Sequence, residues 1–490
     1  MVYVTDFGRD LVQASCTLVV DHLYGLIFAY SQTGVACVES FNNDDITKVI
    51  SSINFLGPNR VLQLLISDVC WMEDMSLEFE NHHLRIVVSF CAATAVDGFL
   101  QEMKLNWYYT IGLVKLIFCI YHHYNASFRR GLKIPENDSA SILFMLKSVI
   151  NMEDELQEVS FSSIIESSEE VKLLDDEQER ASHFIWVKLL DYIIGRKEFW
   201  SGLKLVAQVW VLLYQTLCLV NLEDSNIGYL YQMIERLKDG IEKSREQDPF
   251  FFDCSWESFT HMRSLIIHPI HAAAAFLDPA YMYTENFEIN AEMKVGIDYM
   301  FENMIDSDEK EAFTTELQKY RMKLPELFTA QAVTMLKTGH PRIWWDYCGK
   351  HTVPVLSKYA IRILSQPCST LFCWRFGMRP VDYEWKEDWR SDDDYEMGEG
   401  WTRKVNTVIM NENSRSLKLE PIILDKLGED LGGFNDWTEQ QFECYFSSLS
   451  KGFIDDALVD CMKNDSSPFW DNVSENMQPI GFNWDRFRFI

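Results

Sequence analysis

Positive charge is in short supply in this 490-residue chain. Its 44 Lys and Arg stand against 74 Asp and Glu, for a formal net charge of -30. Neutralising a run of phosphates requires a basic surface, so no global attraction to DNA or RNA is expected, although a local basic groove stays open. The bulk numbers favour a solubilising acidic surface. The opening MVYVTDFGRD has neither the basic n-region nor the apolar h-region of a signal peptide, so secretion is not expected. The longest apolar run, Leu205–Val220, is short for a bilayer and carries two Gln, which favours a buried core helix over a membrane span. The 12 cysteines include no CxxC pair, and no His follows Cys368 and Cys373 at finger spacing, which argues against zinc. They read as small buried hydrophobes of an intracellular protein. A Gly-rich phosphate loop, a GxSxG elbow and a kinase signature are also missing.

What is present is apolar and aromatic: 47% hydrophobic and 14% aromatic residues, enough to bury substantial cores. The length fits about three domain-sized units. Residues 1–135 read as α/β. Val2–Asp6, Ser15–His22 and Gly25–Gln32 are β-rich runs separated by turns. Asp44–Leu56 places Ile46, Val49, Ile50 and Ile53 on one helical face. Val61–Ser67 is nearly unbroken apolar, as a strand covered on both sides would be. A helix-like stretch, a fifth strand at Leu84–Cys91 and a further helix follow. Residues 136–338 read as helical, with Phe313, Leu317, Tyr320 and Leu324 on one stripe. Residues 339–380 form a compact block in which Leu356, Ala360, Ile363 and Leu364 share a face. Residues 381–490 read as an acidic, partly disordered tail; its first twenty residues hold nine acidic and two basic side chains.

The order of three strands, helix, strand, helix, strand, helix resembles that of a ribonuclease-H-like domain, and the resemblance implies that the first and fourth strands lie side by side and parallel. Acids at their ends then meet at one sheet edge, where three carboxylates hold two Mg²⁺ about 4 Å apart for phosphoryl transfer. Asp6 would end the first strand and Asp68 the fourth. By spacing alone, an Asp at a strand end is more often a cap or turn former.

Six stretches in order sharpen this reading: VLQLLISDVC (61–70), CAATAVDGFL (91–100), EFW (198–200), NIGYLYQMIERLKDGI (226–241), HPIHAAAAFLDPAYMY (268–283) and IWWDYCGKHTVPVLSKYAIRILSQPCS (343–369). Together they resemble the plant branch of the hAT transposase superfamily, with a weaker echo in LEPIILDK (419–426). The resemblance implies an α/β ribonuclease-H-like core with a mixed five-stranded sheet, interrupted by a large all-α insertion, and α-rich overall. It places the first catalytic acid on Asp6 and the second on Asp68. In the family's Cys-x-x-His segment Cys91 is kept and Thr94 stands for the His, while the third acid of a Glu-Arg pair falls on Trp374, ahead of Arg375. An indole has one N–H donor and no anionic oxygen, so it does not ligate Mg²⁺. Trp344, Trp345, Pro354, Leu356, Ala360, Ile363 and Leu364 fall in the family's dimerisation region, though the apolar ones equally fit a core. Members also begin with a BED-type zinc finger, whereas this chain begins on its apparent first strand, which implies a clipped gene model or a discarded targeting module.

The expected function is therefore a catalytically inactive, transposase-derived nuclear protein acting through dimerisation with itself or related chains. It needs no cofactor and no membrane, and any DNA binding is weak. The alternative is a Mg²⁺-dependent transposase or nuclease with a substitute acid such as Glu384, about 15 Å beyond Trp374 along a continuous helix. A decaying fragment under no constraint is the third reading. His268 and His271, at i and i+3, have metal-compatible spacing, but the Ala run beside them favours tightly packed core histidines.

Overall fold

The computed structural model describes residues 16–21, 26–31, 34–40, 46–81, 85–107, 110–114, 117, 139–158, 160–161, 190–220, 222, 225–285, 287–370 and 424. Five strands form one mixed sheet: β1 (Cys16–Asp21), β2 (Leu26–Ser31), β3 (Gly34–Ser40), β4 (Val61–Ile66) and β5 (Val87–Phe90), in the order β3-β2-β1-β4-β5. The first three are antiparallel neighbours, while β1–β4 and β4–β5 are parallel. Helices α1 (Ile46–Leu56) and α2 (Val69–Asn81) connect β3 to β4 and β4 to β5.

The strand assignment differs from the sequence expectation by one position. The strand lying parallel to β4 is Cys16–Asp21, and β4's other neighbour is β5. Both sides of β4 are thus taken by described strands. Asp6 itself lies outside the described residues. The third strand of the meander is Gly34–Ser40, which the sequence reading passed over. Its small and polar residues, GVACVES, weaken the period-two signal on which strand recognition rests.

All six residues of β4 are buried, Gln63 among them, as a nearly unbroken apolar run covered on both sides leads one to expect. One sheet face carries Leu18, Val20, Leu64 and Ile66 against Val49 and Ile53 of α1 and Trp71, Met75 and Phe79 of α2. Around β5, Ile86 and Val88 pack in that cluster, whereas Val87 and Phe90 join a much larger helical one.

The larger cluster is continuous from Leu62 through the middle helices to Cys368. Its elements are α3 (Ala92–Asn106), α4 (Ser139–Asn151), α5 (Lys197–Val220), α6 (Ile227–Glu242), α7 (Pro249–Ile266), α8 (Pro269–Phe276), α9 (Ala291–Asn303), α10 (Lys310–Arg321) and α11 (Pro354–Leu364), with shorter helical turns unlabelled. At 24 residues α5 is long and apolar enough to cross a membrane, but 67% of its apolar window is buried inside the chain. It packs on α3, α4 and α6 as a core helix.

Close packing around α8 depends on small residues. Ala272, Ala273, Ala274 and Ala275 are all buried, and Gly228 of α6 and Gly296 of α9 face this helix. A Cβ on Gly296 would stand 2.4 Å from Pro269 O and 2.8 Å from Ala273 N. His268 caps α8 and accepts from Ile270 N, while His271 Nδ1 accepts from His268 N. The pair is therefore a structural cap, as the adjacent Ala run foretold.

Helix α11 begins without a side-chain cap of its own. The Glu316 carboxylate on α10 supplies one, accepting from Leu356 N at 2.7 Å, which places negative charge at a helix N-terminus. Phe313 and Tyr320 of the expected stripe are buried, with Leu317 packed partly against the same core.

Candidate functional site: the carboxyl edge of the parallel strands

The parallel register fixes the edge. Its last pair is Val20↔Ile66, so Asp21 follows on β1 while Ser67 and then Asp68 follow on β4. Two aspartate positions thus arrive at the same end of adjacent strands, which lie about 4.8 Å apart. Asp68 is half-buried. The sequence reading missed Asp21, although its signal was available: the residue closes the apolar run CTLVVD. It was passed over because the strands were counted from Val2.

Cys91 sits at the same edge, at the end of β5 and the N-cap of α3. Its backbone N–H donates to Ile66 O at 2.7 Å, two residues before Asp68. Its buried sulfur faces the segment Gln366–Thr370, which returns from α11. Thr370 donates to Cys91 Sγ from both its backbone N and its Oγ1, each at 3.3 Å, and Ser369 Oγ lies 3.7 Å from the same sulfur. Thr94 is half-buried on α3.

Three further links hold this returning strap. Ala92 N donates to Cys368 O at 2.9 Å, sealing the start of α3. Thr17 Oγ1 of β1 donates to Gln366 Oε1, and Gln366 Nε2 donates to Arg362 O. On the side of the middle helices, Ile227 N donates to Gln366 O at 3.2 Å and Ser225 Oγ lies 3.1 Å from Cys368 Sγ. Burial pushes the Cys368 thiol up to about 12, so it stays protonated and serves as a packing and hydrogen-bonding group. The strap therefore joins the sheet and the middle helices at one polar seam. Sequence reasoning had no handle on these contacts, which span up to 349 residues.

Trp374 and Glu384 lie outside the described residues.

Six of the seven residues of the expected dimerisation set pack inside the chain. Trp344, Trp345, Leu356, Ala360, Ile363 and Leu364 are all buried within the chain itself. Trp344 Nε1 donates to Ala332 O and Trp345 Nε1 to Leu277 O, and the Trp345 ring meets Tyr320 at 4.9 Å. Among the seven residues only Pro354 is exposed. The stripe serves this chain's core and leaves no seam for a second copy on those side chains. Leu424, from the LEPIILDK stretch, is likewise buried, against Leu219, Tyr229 and Met233.

Among the described residues no group of three or more His, Cys, Asp or Glu is placed to hold a metal ion. Among the described residues the edge carries two aspartate positions, one short of the three carboxylates that a two-metal centre uses. No family model matches the chain, and no curated protein matches it.

Proposed function

We propose that the chain is a transposase-derived protein built on a ribonuclease-H-like core, in which strand transfer is lost and binding is what remains. The observation that carries this reading is the Val20↔Ile66 pairing, which brings Asp21 and Asp68 to one end of neighbouring parallel strands. That architecture gathers metal-binding carboxylates at this edge. By resemblance, the third ligand would stand at position 374, where this chain carries an indole. Two carboxylates without the third hold a pair of divalent cations poorly, so no phosphoryl-transfer step is assigned. The protein works in the nucleus by association with a second copy or a related chain, with weak DNA binding at most. With the Trp344–Leu364 stripe consumed by the core, such a contact falls on other surfaces.

The metal-dependent nuclease reading retains one supporting observation: both edge aspartates are still present. The test between them is direct. Supercoiled DNA incubated with the full chain and Mn²⁺ should show no nicking above a metal-free control. Nicking that disappears in Asp68→Ala would sink the non-catalytic reading.

A further inference from the structure

We propose that Arg60 and Arg362 form a binding site for a phosphate group at the end of the sheet opposite the two aspartate positions. The site goes beyond the reading above and stands or falls without it. Cys16 opens β1 and pairs with Val61, the first residue of β4, and its N–H donates to Arg60 O at 2.9 Å. Arg60 thus stands at the amino end of both parallel strands, about 17 Å from the carboxyl edge at roughly 3.3 Å per residue. It closes the turn Gly57–Arg60, in which the glycine takes a φ of 94° and Arg60 N donates back to Gly57 O. Arg362, on the last turn of α11, donates from Nη2 to Asn59 O of the same turn at 2.8 Å. Two arginines from distant parts of the chain meet at one turn.

What singles this pair out is that its charge goes unanswered. Among the described residues the Arg60 side chain has no hydrogen-bond or ion-pair partner, and that of Arg362 has only the neutral Asn59 carbonyl. The Arg362 Nε–H is buried without an acceptor. Asp306, the acid that faces Arg362, is already engaged: it accepts from Lys358 Nζ at 3.2 Å and from Tyr359 Oη at 3.1 Å. Burial holds the Arg362 guanidinium below its usual pKa, as befits a cation that loses water without gaining a carboxylate. Burial also pushes the nearby Cys16 thiol up to about 11, so it stays neutral and supplies no counter-charge. Both arginines are half-buried, so a ligand reaches them from solvent. Guanidinium forks match the oxygens of a phosphate, and an anion there offsets the cost of a partly desolvated, unpaired cation. In a chain of net charge -30, a local pair of this kind is what an oxyanion requires.

The experiment titrates the full chain at low ionic strength with inorganic phosphate by calorimetry, and with a labelled DNA duplex by fluorescence anisotropy. Phosphate should bind at a single site. Arg60→Gln, which gives up no described side-chain contact, should weaken it about tenfold with an unchanged melting temperature, and Arg362→Gln should weaken it at least as much. Lys350→Gln, at an exposed lysine paired with Asp346, should leave it unchanged. Duplex affinity that falls in the same two arginine variants makes a backbone phosphodiester the source of the phosphate. Duplex binding that is absent, or indifferent to them, makes the ligand free phosphate. Should Arg362→Gln not fold, Arg60→Gln decides alone. If neither ligand loses more affinity in Arg60→Gln than in Lys350→Gln, the assignment is overturned.

Discussion

His271 shows what burial does to a single ionisable group. It is 1% exposed at the start of α8, and its Nδ1 accepts a backbone hydrogen bond, so the neutral ring is the stable form. Burial lowers its pKa from 6.5 to about 3, and that of His268 to about 4. Both folded values lie below the unfolded one. The unfolded chain therefore binds more protons as pH falls, and stability is full above about 6.5 and drains away below it. At about 1.4 kcal/mol per pH unit for one histidine, His271 alone should cost roughly 2 kcal/mol between neutrality and pH 5. Urea unfolding at pH 7 and pH 5 measures this, and His271→Gln should shrink the difference by that amount. An unchanged difference would show that the ring already protonates in the fold. The sequence announced this pair as core histidines because four alanines follow. It did not announce Asp21, since a residue's role at an edge depends on which strand it ends.

At the scale of elements, the sheet was legible where one periodicity ruled and obscure where two were compatible. β4 declared itself by five apolar residues out of six, whereas β3, with GVACVES, did not, and its omission moved the strand count by one. Helix α11 was legible as an amphipathic helix, but an apolar stripe has the same spacing whether it faces a core or a second subunit. Only the placement of α10 and the tryptophans decides that it faces the core. Packing at α8 is a second case hidden from sequence, because Gly296 is invisible as a contact until two backbones meet. Gly296→Ala pushes a methyl group against Pro269 O and Ala273 N, backbone atoms that cannot rotate away. Its cost of overpacking, about 1–3 kcal/mol, should exceed the gain in helix propensity of about 1 kcal/mol, so a net loss is expected. Gly98→Ala on α3, where nothing lies within 4 Å of the new Cβ, should instead stabilise by about 0.5–1 kcal/mol. Thermal melts of the two variants moving in the same direction would contradict this account of the packing.

Across the whole molecule, one apolar cluster runs from the sheet through the middle helices to the return helix, so the three expected units share a core. The seam at Gln366–Thr370 ties these parts together with contacts between residues hundreds of positions apart, which is why local pattern located the blocks and not their joint. The central claim of the proposed reading is that the positions of Asp21 and Asp68, at one end of paired parallel strands, make an acidic edge to which the described residues bring no third carboxylate. The most direct measurement is Mn²⁺ titration of Trp374→Glu protein with either Asp21→Asn or Asp6→Asn added. The account predicts that Asp21→Asn abolishes the bound Mn²⁺ and Asp6→Asn leaves it intact. Loss of Mn²⁺ in Asp6→Asn with retention in Asp21→Asn would contradict it.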